Sequence, residues 1–274
     1  MTTLAHSAAD AGTMLRRNLI HIKHYPSLPI LLAGTPVVVL LLFVYVLGGA
    51  LGDGLGGGLG GDSGAYSGGG RAGYLAYVMP GIAVITIACA AQGTAISVAS
   101  DMTQGIVARF RSMAISRGAV LTGHVLGSLI QAVAAVALVF ATAAIMGYRP
   151  AAGFPGWLGA LGAAALIALA VIWMAVAMGL AARSVESASN TPMFLMILPF
   201  LGSGFAPTDS MPSALRWFAD AQPFTPFIET VRALLDGARP GWGDLGATLI
   251  WCAVIVGGSY LLAVRLYSRK SVRA

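Results

Sequence analysis

The sequence predicts an all-α integral membrane protein with six transmembrane helices. Of its 274 residues, 57% are hydrophobic and only 9% are charged, whereas about 25% of the residues of a soluble domain are charged. The mean hydropathy is +0.82, and the apolar residues form long runs of the length that crosses a bilayer as a helix. The net charge of +6 does not indicate a nucleic-acid partner, because the basic residues lie between the runs and form no continuous patch.

The N-terminal segment, residues 1–26, precedes the first predicted span at residues 29–49. Its polar lead is longer than that of a typical signal peptide, so we expect no cleaved leader. Three apolar residues recur in it at helical spacing, Leu15, Leu19 and Ile22. The basic residues Arg16, Arg17 and Lys23 lie on other faces of such a helix. This pattern predicts an amphipathic helix on the inner membrane surface. The alternative is a basic flank that only enforces topology.

Four further clear runs predict spans at residues 74–99, 120–146, 157–182 and 245–266. The stretch between the first two spans is mostly glycine and predicts a flexible outer loop. Its Gly52-Asp53-Gly54-Leu55-Gly56-Gly57 resembles a nucleotide-binding loop only superficially, since no strand precedes it and no βαβ unit surrounds it. Both cysteines lie inside apolar runs and indicate neither a metal site nor a disulfide framework.

The fifth span in chain order, at residues 191–206, is short and contains Pro192 and Pro199. We therefore expect it to be kinked, with the freed backbone groups satisfied by neighbouring helices or in a water-lined cavity. The outer segment that follows, residues 207–243, is too long for a structureless connection and predicts short helices.

Within this outer segment, Thr225 can cap a helix that starts at Pro226, and Asp236-Gly237 can end it. One face of that helix is apolar and carries Phe227, Val231 and Leu234. Three aromatic residues precede the helix: Trp217, Phe218 and Phe224. This element either seals the outer end of a pathway or forms an interfacial aromatic belt.

The distribution of basic residues predicts that both termini are cytoplasmic. Six spans place the termini on one side, and the inner segments then carry 11 basic residues against 5 in the outer segments. The outer five are Arg71, Arg149, Arg216, Arg232 and Arg239.

The inner loop at residues 100–119 is longer than a simple chain reversal requires. It interleaves Arg109, Arg111 and Arg117 with apolar residues that include Phe110 and Met113. The pattern fits a cytoplasmic helix that offers apolar and cationic groups to a partner. It fits a solvated topogenic loop equally well.

Several kinds of site are missing from the sequence. Neither lysine follows a glycine as a P-loop requires, and no His-Glu-x-x-His or Gly-x-Ser-x-Gly pattern occurs. No Asp, Glu, Lys or Arg lies near the middle of a predicted span, which disfavours an ion-coupled secondary transporter. Gln92 is the polar span residue that is most costly to leave unpaired, and it predicts either a contact between helices or a substrate contact.

Two stretches resemble the ABC type-2 permeases, in particular their daunorubicin/doxorubicin-resistance branch. The inner loop follows that branch's Gly-Ile-x-x-Arg-Phe-Arg-Ser-x-Pro-x-x-Arg pattern, with Ala108 where the branch usually has an acid and Ala114 where it usually has proline: Gly105-Ile106-Val107-Ala108-Arg109-Phe110-Arg111-Ser112-Met113-Ala114-Ile115-Ser116-Arg117. The second stretch is similar to the same branch near its fifth span: Phe200 to Pro207, Met211-Pro212, Gln222-Pro223-Phe224-Thr225-Pro226 and Val231-Arg232-Ala233-Leu234-Leu235.

This resemblance implies the ABC type-2 permease fold and a homodimer, or a related heterodimer, that docks two separate ABC ATPase subunits. ATP and Mg would then be bound by the partner subunits, with no cofactor on this chain. The inner loop becomes a coupling helix seated in the ATPase, and its contact residues are Gly105, Arg109, Phe110, Arg111, Met113 and Arg117. The candidates for the substrate path or outer gate are Gln92, Phe205, Trp217, Phe224 and Phe227.

We therefore expect a multi-pass plasma-membrane permease without its own ATPase site, which exports an amphiphilic drug, natural product or lipid-like molecule and so contributes to multidrug efflux and antibiotic resistance. Export of a glycolipid or polysaccharide is the nearer alternative. An ion-coupled secondary transporter and a structural membrane anchor are more distant ones.

Overall fold

The computed structural model describes residues 27–48, 71–103, 117–208 and 211–273. Within these ranges all the regular structure is helical, and five helices are long and apolar enough to cross a membrane. The predicted all-α membrane fold is confirmed, whereas the number of crossings stays a prediction. The N-terminal amphipathic helix, the glycine-rich loop and the predicted coupling contacts from Gly105 to Met113 lie outside the described residues.

The five long helices coincide with the five clear apolar runs. They are α1 (Ser27–Leu42, extended by a π-helical turn at Phe43–Leu47), α2 (Arg71–Thr103), α3 (Arg117–Ile145), α4 (Gly153–Ala181) and α9 (Trp242–Arg273). Helices α2 and α9 continue beyond the predicted span ends at residues 99 and 266, because the backbone hydrogen bonds of a helix do not depend on the surrounding hydrocarbon. The bounds of these two helices therefore exceed the predicted span bounds.

Short helices occupy the region around the kinked span that the sequence predicts at residues 191–206. They are α5 (Val185–Asn190), which precedes the predicted span, α6 (Met193–Ile197) and a 3-10 turn at Leu198–Leu201. We call residues 185–201, which these elements occupy, the broken span. The Ser184 hydroxyl caps α5 by accepting from the Ser187 N–H at 3.2 Å, and Pro192 immediately precedes α6. Both prolines thus lie at breaks, as expected for a residue without a backbone N–H.

Two helices form the segment that follows, α7 (Ser213–Ala221) and α8 (Phe224–Leu235). The prediction that Thr225 caps a helix starting at Pro226 is wrong, because α8 begins two residues earlier and the Thr225 hydroxyl donates to the Ala219 carbonyl at 2.5 Å. That contact holds α7 against α8. The end of α8 follows the prediction, with Gly237 at a φ of +73° in the left-handed region that glycine favours.

Helix α2 forms the centre of the bundle. In an apolar stretch of 18 residues within it, called its apolar window, 94% of residues are buried. It packs against α4, α3, α1, α5 and α8. Glycines allow backbones to approach one another closely here, as is common where membrane helices pack. A Cβ placed on Gly179 of α4 would lie 2.6 Å from the Ala95 carbonyl oxygen of α2.

Candidate functional site

The first part of the candidate site begins where α2 ends at Thr103 and α3 begins at Arg117. Asp101 and His124 flank the predicted coupling segment, and His124 Nε2 lies 3.2 Å from Asp101 Oδ2. The side chains of His124 and Asp101 are 9% and 16% exposed. The two helices that flank the predicted coupling segment are therefore joined by a largely buried polar contact.

Gln92 joins α2 to the broken span. Its Nε2 donates to the backbone carbonyl of Ser189 in α5 at 2.9 Å. The neighbouring hydroxyls of Thr86 and Thr94 instead donate to carbonyls of their own helix, at 2.7 and 3.0 Å. Gln92 thus makes the contact between helices that was one of its two predicted roles, and its substrate contact stays a prediction.

Phe205 belongs to a cluster of three aromatic rings. Its ring centroid lies 4.4 Å from that of Phe200 in a stacked arrangement and 4.7 Å from that of Phe43. Phe43 lies in the π-helical turn that extends α1. The cluster therefore packs the end of α1 against the end of the broken span and the residues that follow it.

The other predicted aromatic residues of the outer gate have different surroundings. Phe224 and Phe227 are 2% and 0% exposed, and their ring centroids lie 5.9 Å apart. They belong to α8, which packs against α4, α2 and α9. Trp217 on α7 is 74% exposed. The structure thus places two of these aromatic residues in the core and one on the surface.

Arg232 on α8 is a functional candidate that the sequence indicates as an outer basic residue within the stretch that resembles the permease family. Its guanidinium forms an ion pair with Glu229, and its Nη2 donates to the carbonyls of Ser203 at 2.8 Å and Tyr77 at 3.3 Å. The guanidinium carbon lies 4.3 Å from the centroid of the Tyr77 ring, within cation–π range. Its side chain is only 16% exposed, so Arg232 connects α8, α2 and the segment after the broken span from within the protein.

The segment around Ser203 also approaches α2 closely. A Cβ on Gly81 of α2 would lie 2.8 Å from the Gly204 carbonyl oxygen, so the two backbones are in direct contact. Gln222 donates from Nε2 to the Leu198 carbonyl at 3.2 Å. Among the described residues, three buried polar atoms here lack a hydrogen-bond partner: Ser203 Oγ, Gln222 Oε1 and Arg232 Nε.

Two acidic residues near Arg232, Glu229 and Asp236, offset its positive charge. Burial raises the pKa of Asp236, which directly follows α8, and the Arg232 cation opposes that rise. The Glu229 carboxylate acts in the same direction as burial, because two like charges disfavour ionisation. A sequence signal for this arrangement was the spacing of Glu229 and Arg232 at i and i+3 on a helix with an apolar face.

Comparison with known proteins identifies the class of membrane protein to which this chain belongs. The family model described as the ABC-2 type transporter matches residues 10–235, and the chain belongs to this family. Members are membrane transport subunits that work with ATPase activity on a separate subunit. The resemblance drawn from the inner loop and the outer stretch is therefore confirmed.

A curated relative agrees with this assignment. The chain is 28% identical over 270 residues to the daunorubicin resistance ABC transporter permease protein DrrB1 of Streptomyces coeruleorubidus. The match covers 97% of this chain and 89% of the relative. The similarity therefore extends over almost the whole chain and beyond the residues that the family model matches.

Proposed function

We propose that this chain is the membrane-spanning permease of an ATP-driven exporter for an amphiphilic drug, natural product or lipid-like molecule. The observation that carries the proposal is the family match at residues 10–235, because it includes the segment between α2 and α3. The name of the relative supports a drug as the first substrate class to test.

The proposed assembly contains two copies of this chain and two ATPase subunits in the plasma membrane. ATP and Mg belong to the ATPase subunits. The excess of basic residues in the inner segments, 11 against 5, supports cytoplasmic termini. That orientation places the coupling segment on the side where ATP is available.

In the proposed mechanism, the segment from Gly105 to Arg117 sits in a groove of the ATPase. Phe110 and Met113 supply packing, while Arg109, Arg111 and Arg117 meet acidic groups. Closure of the ATPase on ATP moves the segment and biases the spans between inward-open and outward-open states. Substrate then leaves between the two copies, past the helices from Met211 to Leu235.

The coupling assignment is tested by replacing Phe110 and Arg111 together with Ala. We expect ATP-dependent uptake of daunorubicin into inverted vesicles to be lost and ATPase association to weaken, since the variant removes one packing and one cationic contact. The membrane content of the chain should not change. A matched control replaces the adjacent basic and aromatic residues of the outer helix α7, Arg216 and Trp217, and should retain ATPase association.

Normal transport by the Phe110/Arg111 variant would refute the coupling role of this segment. Normal ATPase association with lost transport would instead place these residues in transmission rather than in docking. If the unmodified complex hydrolyses ATP without moving daunorubicin, a lipid-like probe in the same vesicles tests the other substrate class.

A further inference from the structure

The contact between Asp101 and His124 lies at a particular position in the fold. Asp101 is two residues before the end of α2, and His124 is seven residues after the start of α3. The predicted coupling segment connects these two helix ends. Their side chains meet at 3.2 Å and are largely withdrawn from solvent. A displacement of the segment therefore reaches this contact before it reaches the bundle.

The packing of α2 favours its movement as one rigid body. Nearly all of the α2 window is buried, and close-packed interiors transmit displacement instead of absorbing it. Above Asp101, Gln92 attaches α2 to the broken span through the Ser189 carbonyl. Further along, the carbonyl and the ring of Tyr77 attach it to Arg232 of α8. Polar contacts thus connect the coupling end of α2 to the outer helices.

We propose that Asp101 and His124 are positioning residues that transmit the motion of the coupling segment to α2. The inference rests on the proposed function and deepens it. Without a contact between them, the ends of α2 and α3 could move independently when the segment follows the ATPase. The Asp101–His124 contact, which is strengthened by its low exposure, makes the ends of α2 and α3 move together.

The test uses the full complex in proteoliposomes and measures substrate transported per ATP hydrolysed. Asp101→Asn and His124→Gln each keep hydrogen-bonding capacity and remove the charge or the imidazole. We expect each to lower this ratio about 10-fold, within the range of usual allosteric coupling energies, while ATPase binding persists. Exchange of the two residues (Asp101→His with His124→Asp) should restore most of the ratio.

The matched control is the exposed ion pair of α7, in which Arg216 Nε lies 3.8 Å from Asp220 Oδ2. Asp220→Asn should leave the ratio unchanged. The inference is overturned if the single variants keep the normal ratio. It is also overturned if transport and hydrolysis fall in parallel and the exchange restores neither, since a purely structural role predicts that result.

The outcome for the unmodified complex separates this inference from the proposed function. ATP-dependent transport by the unmodified complex, with normal ratios in the variants, refutes only the transmission role. Absence of ATP-dependent transport in the unmodified complex refutes the exporter function, and the transmission role with it.

Discussion

Helices α1 and α2 are both apolar and long enough to span a bilayer, yet they occupy opposite environments. The α1 window is the most hydrophobic of the five and is 17% buried, whereas the α2 window is the least hydrophobic and is 94% buried. In a soluble protein this order would be reversed. In a membrane, lipid accepts apolar side chains as readily as protein does, so hydrophobicity does not select the helix that becomes the core.

The polar groups of the two helices explain the difference. Thr35 of α1 donates to the Leu31 carbonyl of its own helix at 2.8 Å, and such a group is satisfied even beside lipid. Gln92 of α2 needs a partner from another helix and finds it at Ser189. A polar group that its own helix cannot satisfy, together with glycine at close approaches, is therefore the better marker of a buried membrane helix.

A matched pair of glycines tests this comparison most severely. A Cβ on Gly81 of α2 meets the Gly204 backbone at 2.8 Å, whereas a Cβ on Gly34 of α1 meets nothing within 4 Å. We expect Gly81→Leu to destabilise the protein by about 3 kcal/mol or more, because backbone must shift. Gly34→Leu should change stability by about 0.5 kcal/mol or less. Thermal unfolding in detergent measures both, and equal effects would mean that α1 is also packed at Gly34.

A pair of arginines gives the next largest effect. Arg232→Ala removes two donors to backbone carbonyls and leaves Glu229 without its cation, so we expect a loss of about 2 kcal/mol. Arg216→Ala removes a cation whose pair with Asp220 is about half exposed, and we expect a loss of about 0.5 kcal/mol or less. Denaturant titration of the two variants compares them. A mild Arg232→Ala variant would indicate that α8 is held by its apolar face alone.

The smallest expected effect comes from the polar residues of the two helices. Gln92→Leu breaks a hydrogen bond between helices, which is worth about 0.6 kcal/mol in membrane proteins. Thr35→Val breaks a bond within one helix and should leave stability unchanged within error. Unfolding midpoints of the two variants, measured side by side, sharpen the comparison. A stabilised Gln92→Leu variant would contradict it.

Features that depend on the local chain were predictable from the sequence. Apolar runs located the five long helices, because each backbone must satisfy its own hydrogen bonds in lipid. The two prolines located the breaks after α5 and α6. Gly237 located the end of α8, since it supplies the positive φ that other residues rarely adopt.

Features that depend on contacts between helices were not predictable from pattern alone. Arg232 is one of five basic residues predicted for the outer segments, and its carbonyl partners at Tyr77 and Ser203 are distant in sequence. His124 lies in a predicted span, and its partner Asp101 lies on another helix. The Thr225 cap failed for the same reason, because a carbonyl of α7 competes for its hydroxyl.

The exposed apolar surface of α1 has a consequence for its surroundings. Only 17% of the stretch Ile30–Leu47 is buried within the chain, against 94% of the corresponding stretch of α2. Hydrophobic mismatch acts on the protein surface that lipid touches. A change in acyl-chain length can therefore act directly on α1, whereas it can reach α2 only through the helices packed around it.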